Sequence, residues 1–141
     1  MKRAEAVEFR SQIERVFEKA SGGMTTEEKI KARNLCKAWK PGEHIAGEIY
    51  TTEDGQIWEC IQAYNTEHHP GVKPGETAWG TFHKPYHGTN PETALPWVSP
   101  TGAHDMYLAG EYMVWIDGST QRCKQSTNFS PAEYAPAWEV V

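Results

Sequence analysis

The chain has 141 residues, enough for one ordinary domain or two very small ones. Its net charge of −5 gives no broad basic footprint for nucleic acid, and no stretch approaches the roughly 18 apolar residues of a membrane span. Hydrophobic residues make up only 38% yet include six Trp, a pattern small β modules use because one Trp buries roughly 150–250 Å².

The start, "MKRAEAVEFRSQ", is basic but lacks the apolar run of a signal peptide, so the expectation is a protein made in the cytoplasm without one. Residues 3–20 read as a helix, because Phe9, Ile13, Val16, Phe17 and Ala20 form one apolar stripe. "SGG" at 21–23 ends it. Thr25 and Glu28 have capping-box spacing and open a second helix. Ala32, Leu35, Cys36 and Trp39 continue its apolar side, and Pro41 stops it. Residues 1–38 are thus an N-terminal helical segment. Helices this short are marginal alone, so they either pack on the rest of the chain or self-associate into a homo-oligomer or larger assembly.

From residue 39 the composition turns to Gly, Pro, Thr and aromatics, with short alternating runs between turn signals. "GEIYTTEDGQIWECIQAY" reads as strand, Asp54-Gly55 turn of type I′, strand. "GEYMVWIDGSTQRCKQS" repeats it around Asp117-Gly118. At a constant offset of 63, Ala46/Ala109, Gly47/Gly110, Glu48/Glu111, Asp54/Asp117, Gly55/Gly118, Cys60/Cys123, Gln62/Gln125 and Asn65/Asn128 are identical. Such self-similarity marks a duplicated unit. Each copy is expected to close on Ala-Trp, at Ala78-Trp79 and Ala137-Trp138, which gives the first copy four extra residues. Both tryptophans are expected in the core. Cys60 and Cys123 are expected to fill the two cores as thiols rather than bridge them. The fold class is mainly β: two small three-stranded β modules in tandem, residues 39–80 and 101–141, behind the helical segment. Residues 81–100 are rich in turn formers and read as a Pro-rich linker, with "PWVSP" packing against a module.

The first copy's Trp-x-Pro-Gly, Gly-Glu-Ile-Tyr, Asp-Gly-Gln-Ile-Trp-Glu-Cys-Ile-Gln-Ala, prolines and final Ala-Trp resemble the chitin-binding type 3 domains. These are the small carbohydrate-binding modules of families five and twelve. The second copy fits the same frame through "WEVV". Two such modules behind a helical head are similar to small tail-associated proteins of phages and prophages of Gram-positive bacteria. The resemblance covers about 100 of the 141 residues. It implies a non-catalytic carbohydrate-binding protein of a virion, recognising a bacterial surface glycan. The alternative is a structural decoration or adaptor using the modules for protein contacts. Partners would be a polysaccharide or cell-wall glycan and other tail proteins, without nucleic acid or membrane insertion. The family's paired-Trp platform is replaced here by Gln62-Ala63 and Gln125-Ser126.

Sugar rings stack on flat aromatics while neighbouring polar groups bond their hydroxyls. The candidates are Tyr64 with Gln62, Phe129 with Gln125 and Asn128, Trp115 on the strand before the second turn, and Tyr134 between prolines. No catalytic residue, cofactor or metal is expected. Glu48 and Glu111 lie in separate copies and read as solvent-facing strand residues. His83 and His87 are separated by Pro85, which removes the shared helical face a metal would use.

Overall fold

Helix α1 spans Arg3–Ala20 and ends in a single 3-10 turn at Ser21–Gly23, as the apolar stripe and the glycines require. Helix α2 covers only Thr26–Lys31. These assignments come from a computed structural model that describes residues 2–76, 79–102 and 104–141. The α2 capping box forms: Glu28 N–H donates to Thr25 Oγ1 at 3.1 Å, and Thr25 N–H to a Glu28 carboxylate oxygen at 2.9 Å. The expected run to Trp39 does not form. A 3-10 turn follows at Arg33–Leu35, and beyond it Thr51 N–H reaches Lys37 O at 2.9 Å while Trp39 N–H reaches Thr51 O at 2.8 Å. Sheet bonds, together with the Trp39 indole N–H donating to Tyr64 O–H at 2.8 Å, outcompete the helix there.

Nine short strands follow among the described residues. They are β1 (Glu43–His44), β2 (Ile49–Thr51), β3 (Ile57–Cys60), β4 (Tyr64–Asn65), β5 (His83–Pro85), β6 (Leu95–Pro96), β7 (Tyr112–Val114), β8 (Thr120–Cys123) and β9 (Trp138–Val140). A one-turn helix α3, Trp79–Phe82, precedes β5. β2-β3-β5 form an antiparallel sheet, β6-β7-β8-β9 a second sheet in which β6 joins parallel, and β1-β4 a two-stranded ribbon.

The hairpins β2-β3 and β7-β8 share their register residue for residue at the offset of 63. Tyr50 faces Trp58 as Met113 faces Gln121. Gly47 N–H bonds Cys60 O and Gly110 N–H bonds Cys123 O, both at 2.8 Å. The pairing of His44 with Tyr64 is repeated by Tyr107 with Thr127. The corners differ from the expected type I′ turns. Gly55 N–H bonds Thr52 O and Thr52 N–H bonds Gln56 O, with the same pattern at Trp115, Gly118 and Ser119. Each corner is therefore a three-residue loop whose glycine takes the left-handed position, φ +89° and +86°. Asp54 and Asp117 cap the loops by accepting the N–H of Gln56 and Ser119.

The closing strands need a correction. β5 pairs His83 with Cys60, as β9 pairs Trp138 with Cys123. His83, not Trp79, is thus the counterpart of Trp138. The offset falls from 63 to 55 and the first copy carries eight extra residues rather than four. Ala78, half of the expected closing pair, lies outside the described residues. The first sheet therefore extends beyond residue 80. The stretch 81–100 is not a free linker: it supplies β5, a 3-10 turn at Pro91–Thr93 and β6, and buries Leu95 and Val98. Its prolines fit because Pro85 and Pro96 sit on edge strands and Pro91 opens the 3-10 turn.

Three cores result. Phe17, Ile30, Cys36, Ile49, Ile57 and Leu95 join the helices to one face of β2-β3. Tyr50, Trp58, Cys60, Tyr64, Val72, Phe82 and Val98 cover the other face. Tyr107, Met113, Cys123, Ala137 and Trp138 fill the third. All three cysteines are buried thiols, and burial pushes Cys36 up to about 12. Among the described residues no helix is long and apolar enough to cross a membrane.

Candidate functional site

A cleft of about 360 Å³ opens between the first hairpin's corner and residues 97–99. Trp58 forms its floor, with Gly75 packed over the ring: a Cβ there would lie 3.5 Å from Trp58 Cζ2. Trp79 and Trp97, both half-buried, form the walls. Thr52, Glu53, Asp54, Lys73, Glu76 and Ser99 supply the polar rim, three carboxylates against one ammonium.

Each wall is held from behind. Trp79 meets Trp58 edge-to-face at 5.3 Å. Trp97 stacks on Tyr107 at 5.0 Å and is braced edge-on by Trp115 and Trp138 at 5.5 and 5.9 Å. The Trp97 position is set by β6: its N–H bonds Val114 O at 2.9 Å. The Trp58 indole N–H is used internally, donating to Thr52 Oγ1 at 3.0 Å, and Thr52 in turn donates to Asp54 Oδ1 at 2.6 Å. Among the described residues the indole N–H groups of Trp79 and Trp97 have no protein hydrogen-bond partner, and both residues are half-buried. The cleft thus offers two preset aromatic surfaces, two free donors and a ring of acceptors. Such an arrangement can stack a flat ring on its aromatic faces and bond polar groups at the ring's edge.

The residues expected from sequence are dispersed. Tyr64 does not present its ring: it is 6% exposed, stacked on His44 at 5.0 Å, with its hydroxyl taken by Trp39. β4 turns it into the core because His44, opposite it, packs against the same cluster. Gln62 is exposed on the strand exit, and its carbonyl accepts the Cys60 thiol. Gln125 is likewise exposed, with its carbonyl bonded to Cys123. Trp115 is half-buried and spent on bracing Trp97. Asn128, Phe129 and Tyr134 lie on one segment of the second copy. Phe129 is 55% and Tyr134 40% exposed, and Asn128 Oδ1 is buried without a partner among the described residues. Neither Phe129 nor Tyr134 lines the cleft. Trp79 was expected as core and Trp97 was not singled out. The available signal was "PWVSP", placed against a module.

The paired glutamates are not solvent-facing strand residues. Glu48 accepts the N–H of Ile45 at 2.9 Å and sits 3.0 Å from His44 Nδ1; Glu111 accepts the N–H of Leu108 and sits 3.0 Å from His87 Nδ1. Burial pushes Glu48 up, but bonds from Lys37, Ile45 and His44 outweigh it and hold the carboxyl below its usual range. Both carboxylates pin the tight turn before a hairpin, Glu48 through both of its oxygens and Glu111 through Oε1. A smaller hollow of about 190 Å³ near His87, lined by Glu59, Lys84, Tyr86 and His104, has no comparable aromatic walls. Among the described residues no group of three or more His, Cys, Asp or Glu is placed to hold a metal. No protein-family model matches the chain, and a search of curated proteins finds no match.

Proposed function

We propose that the chain is a non-catalytic glycan-binding protein, two tandem three-stranded modules behind a helical head, whose subsite is the Trp79–Trp97 cleft. The ligand is a bacterial surface polysaccharide, and the setting is the tail of a phage or prophage particle. The observation that carries the binding reading is the pair of half-buried indoles facing one polar-rimmed cleft. The tandem arrangement draws on the constant offset of 63 in strand register and turn bonds. The tail setting draws on the resemblance to chitin-binding type 3 domains.

The cleft replaces the family's paired-Trp platform with tryptophans from two separate segments. Sugar C–H faces stack on the rings, and Glu53, Glu76 and Ser99 accept or donate to the hydroxyls. A pulldown on purified Gram-positive cell walls tests this. Wild type is retained, and Trp97→Ala and the rim pair Lys73→Ala with Glu76→Ala lose about tenfold or more. Phe129→Ala and Tyr134→Ala leave retention unchanged. Absence of retention on any wall polysaccharide, or loss only with the last two, removes the proposal.

A second reading, virion decoration through protein contacts, is favoured by one observation. Ile116 at the second corner, with Phe129 and Tyr134, leaves large apolar side chains exposed on the second copy. Co-purification with a fibre or baseplate protein that is lost in Ile116→Asp, without wall binding, selects it.

A further inference from the structure

We propose that α1 pairs antiparallel with the α1 of a second copy of this chain. Ala6, Phe9, Ile13, Val16 and Ala20 follow the alternating three-and-four spacing of a coiled-coil seam. The fold leaves that seam open. Of the helix only Phe17 is buried, while Phe9 is 54% and Val16 67% exposed. The seam forms one wall of an apolar groove of about 450 Å³, whose other wall is Met24, Ala32 and Leu35.

The sequence of α1 matches itself. Laid antiparallel with the core layers centred on Ser11, Phe9 meets Ile13 of the second copy and Ala6 meets Val16, and the flanking positions are centred on Gln12. The same alignment sets Glu5 beside Lys19 of the second copy, twice by symmetry, and Gln12 beside Gln12. Neither Glu5 nor Lys19 forms an ion pair among the described residues. The helix carries four arginine or lysine and four glutamate side chains, so two copies meet without net repulsion although the chain is acidic. The parallel alignment fits poorly. It would face Glu5 toward Arg10, whose guanidinium already bonds Glu14 and Cys36 O, and Gln12 toward Phe17, which is buried in its own core. The seam is short, so the pair is a weak, concentration-dependent one.

This inference stands apart from the glycan reading. Sedimentation velocity over a range of protein concentration tests it. Wild type passes from a 15.9 kDa species to one of twice that mass. Val16→Glu, at an exposed position, keeps the circular dichroism of wild type and weakens association at least tenfold. Glu5→Lys weakens it too, and adding Lys19→Glu restores it. Gln12→Cys cross-links to itself under mild oxidation, against a background of three buried cysteines. A wild type that stays monomeric at the highest attainable concentration overturns the proposal. So does a dimer indifferent to Val16→Glu, a charge swap without rescue, or a Gln12→Cys chain that does not cross-link.

Discussion

The hairpin of β2-β3 and that of β7-β8 have one backbone and two fates. In the first, Ile49 and Tyr50, adjacent and on opposite faces, are both buried, as are Ile57 and Trp58. In the second, burial alternates, with Met113, Gln121 and Cys123 inside and their neighbours partly open. The helical head makes the difference, because it covers the Ile49/Ile57 face of the first hairpin only. The aromatic mass also moves. The first copy carries Trp58 on its middle strand and His83 on its closing strand; the second carries Gln121 and Trp138. Glycine, Asp-Gly, glutamate and cysteine hold the register, while the core is filled from whichever strand carries the large ring. Where the second copy places Trp115, the first has the smaller Thr52, and the cleft opens there.

Substitutions at matched positions sharpen this contrast. The largest effect is expected from the rings: Trp58→Ala and Trp138→Ala each cost about 3–5 kcal/mol in urea unfolding. Gln121→Ala, at the Trp58-equivalent position, costs about 1 kcal/mol. Equal costs at positions 58 and 121 would break the claim that the mass has changed strands.

Next comes pH. His83 is fully buried with Tyr50 O–H 2.6 Å from Nδ1, and burial lowers its pKa to about 4. Below about pH 6.5 the unfolded chain takes a proton that the folded one refuses, so stability present above that pH is lost as pH falls toward 4. The loss is about 3 kcal/mol. The urea midpoint should therefore drop between pH 7 and pH 4.5, and His83→Leu should flatten that part of the slope. The second copy, with Trp138 in place of His83, contributes none of it.

Smaller still, Gly55→Ala and Gly118→Ala should each cost about 1–2 kcal/mol, because both glycines hold positive φ. Here the copies should agree; a large difference would show that the corners are not equivalent. The smallest effect is expected for Arg122→Ala. Its pair with Glu139 is over a third exposed and screened by solvent, so the urea midpoint should barely move.

The legible part of this fold was what local chemistry dictates. The α1 stripe, the Thr25–Glu28 box, both Asp-Gly corners and the two core cysteines stand where their residues point. The illegible part was tertiary. His83-Lys84-Pro85 carries no strand signal and pairs only because β3 offers an edge, so Trp79 looked like the closing residue. Tyr64 looked free because nothing local says that His44 and Trp39 converge on it. The cleft joins Trp79 to Trp97 across a proline-rich stretch whose folding depends on pairing with β7. Its tryptophans are readable as residues, but their convergence is not.

The measurement that reaches the central claim most directly is an indole N–H titration by NMR with soluble cell-wall glycan fragments. The signals of Trp79 and Trp97 should shift in a saturable way, while that of Trp138, bonded to Phe129 O, stays in place. Saturable shifts confined to the segment of Phe129 and Tyr134, or none at any indole, would contradict the assignment of the cleft.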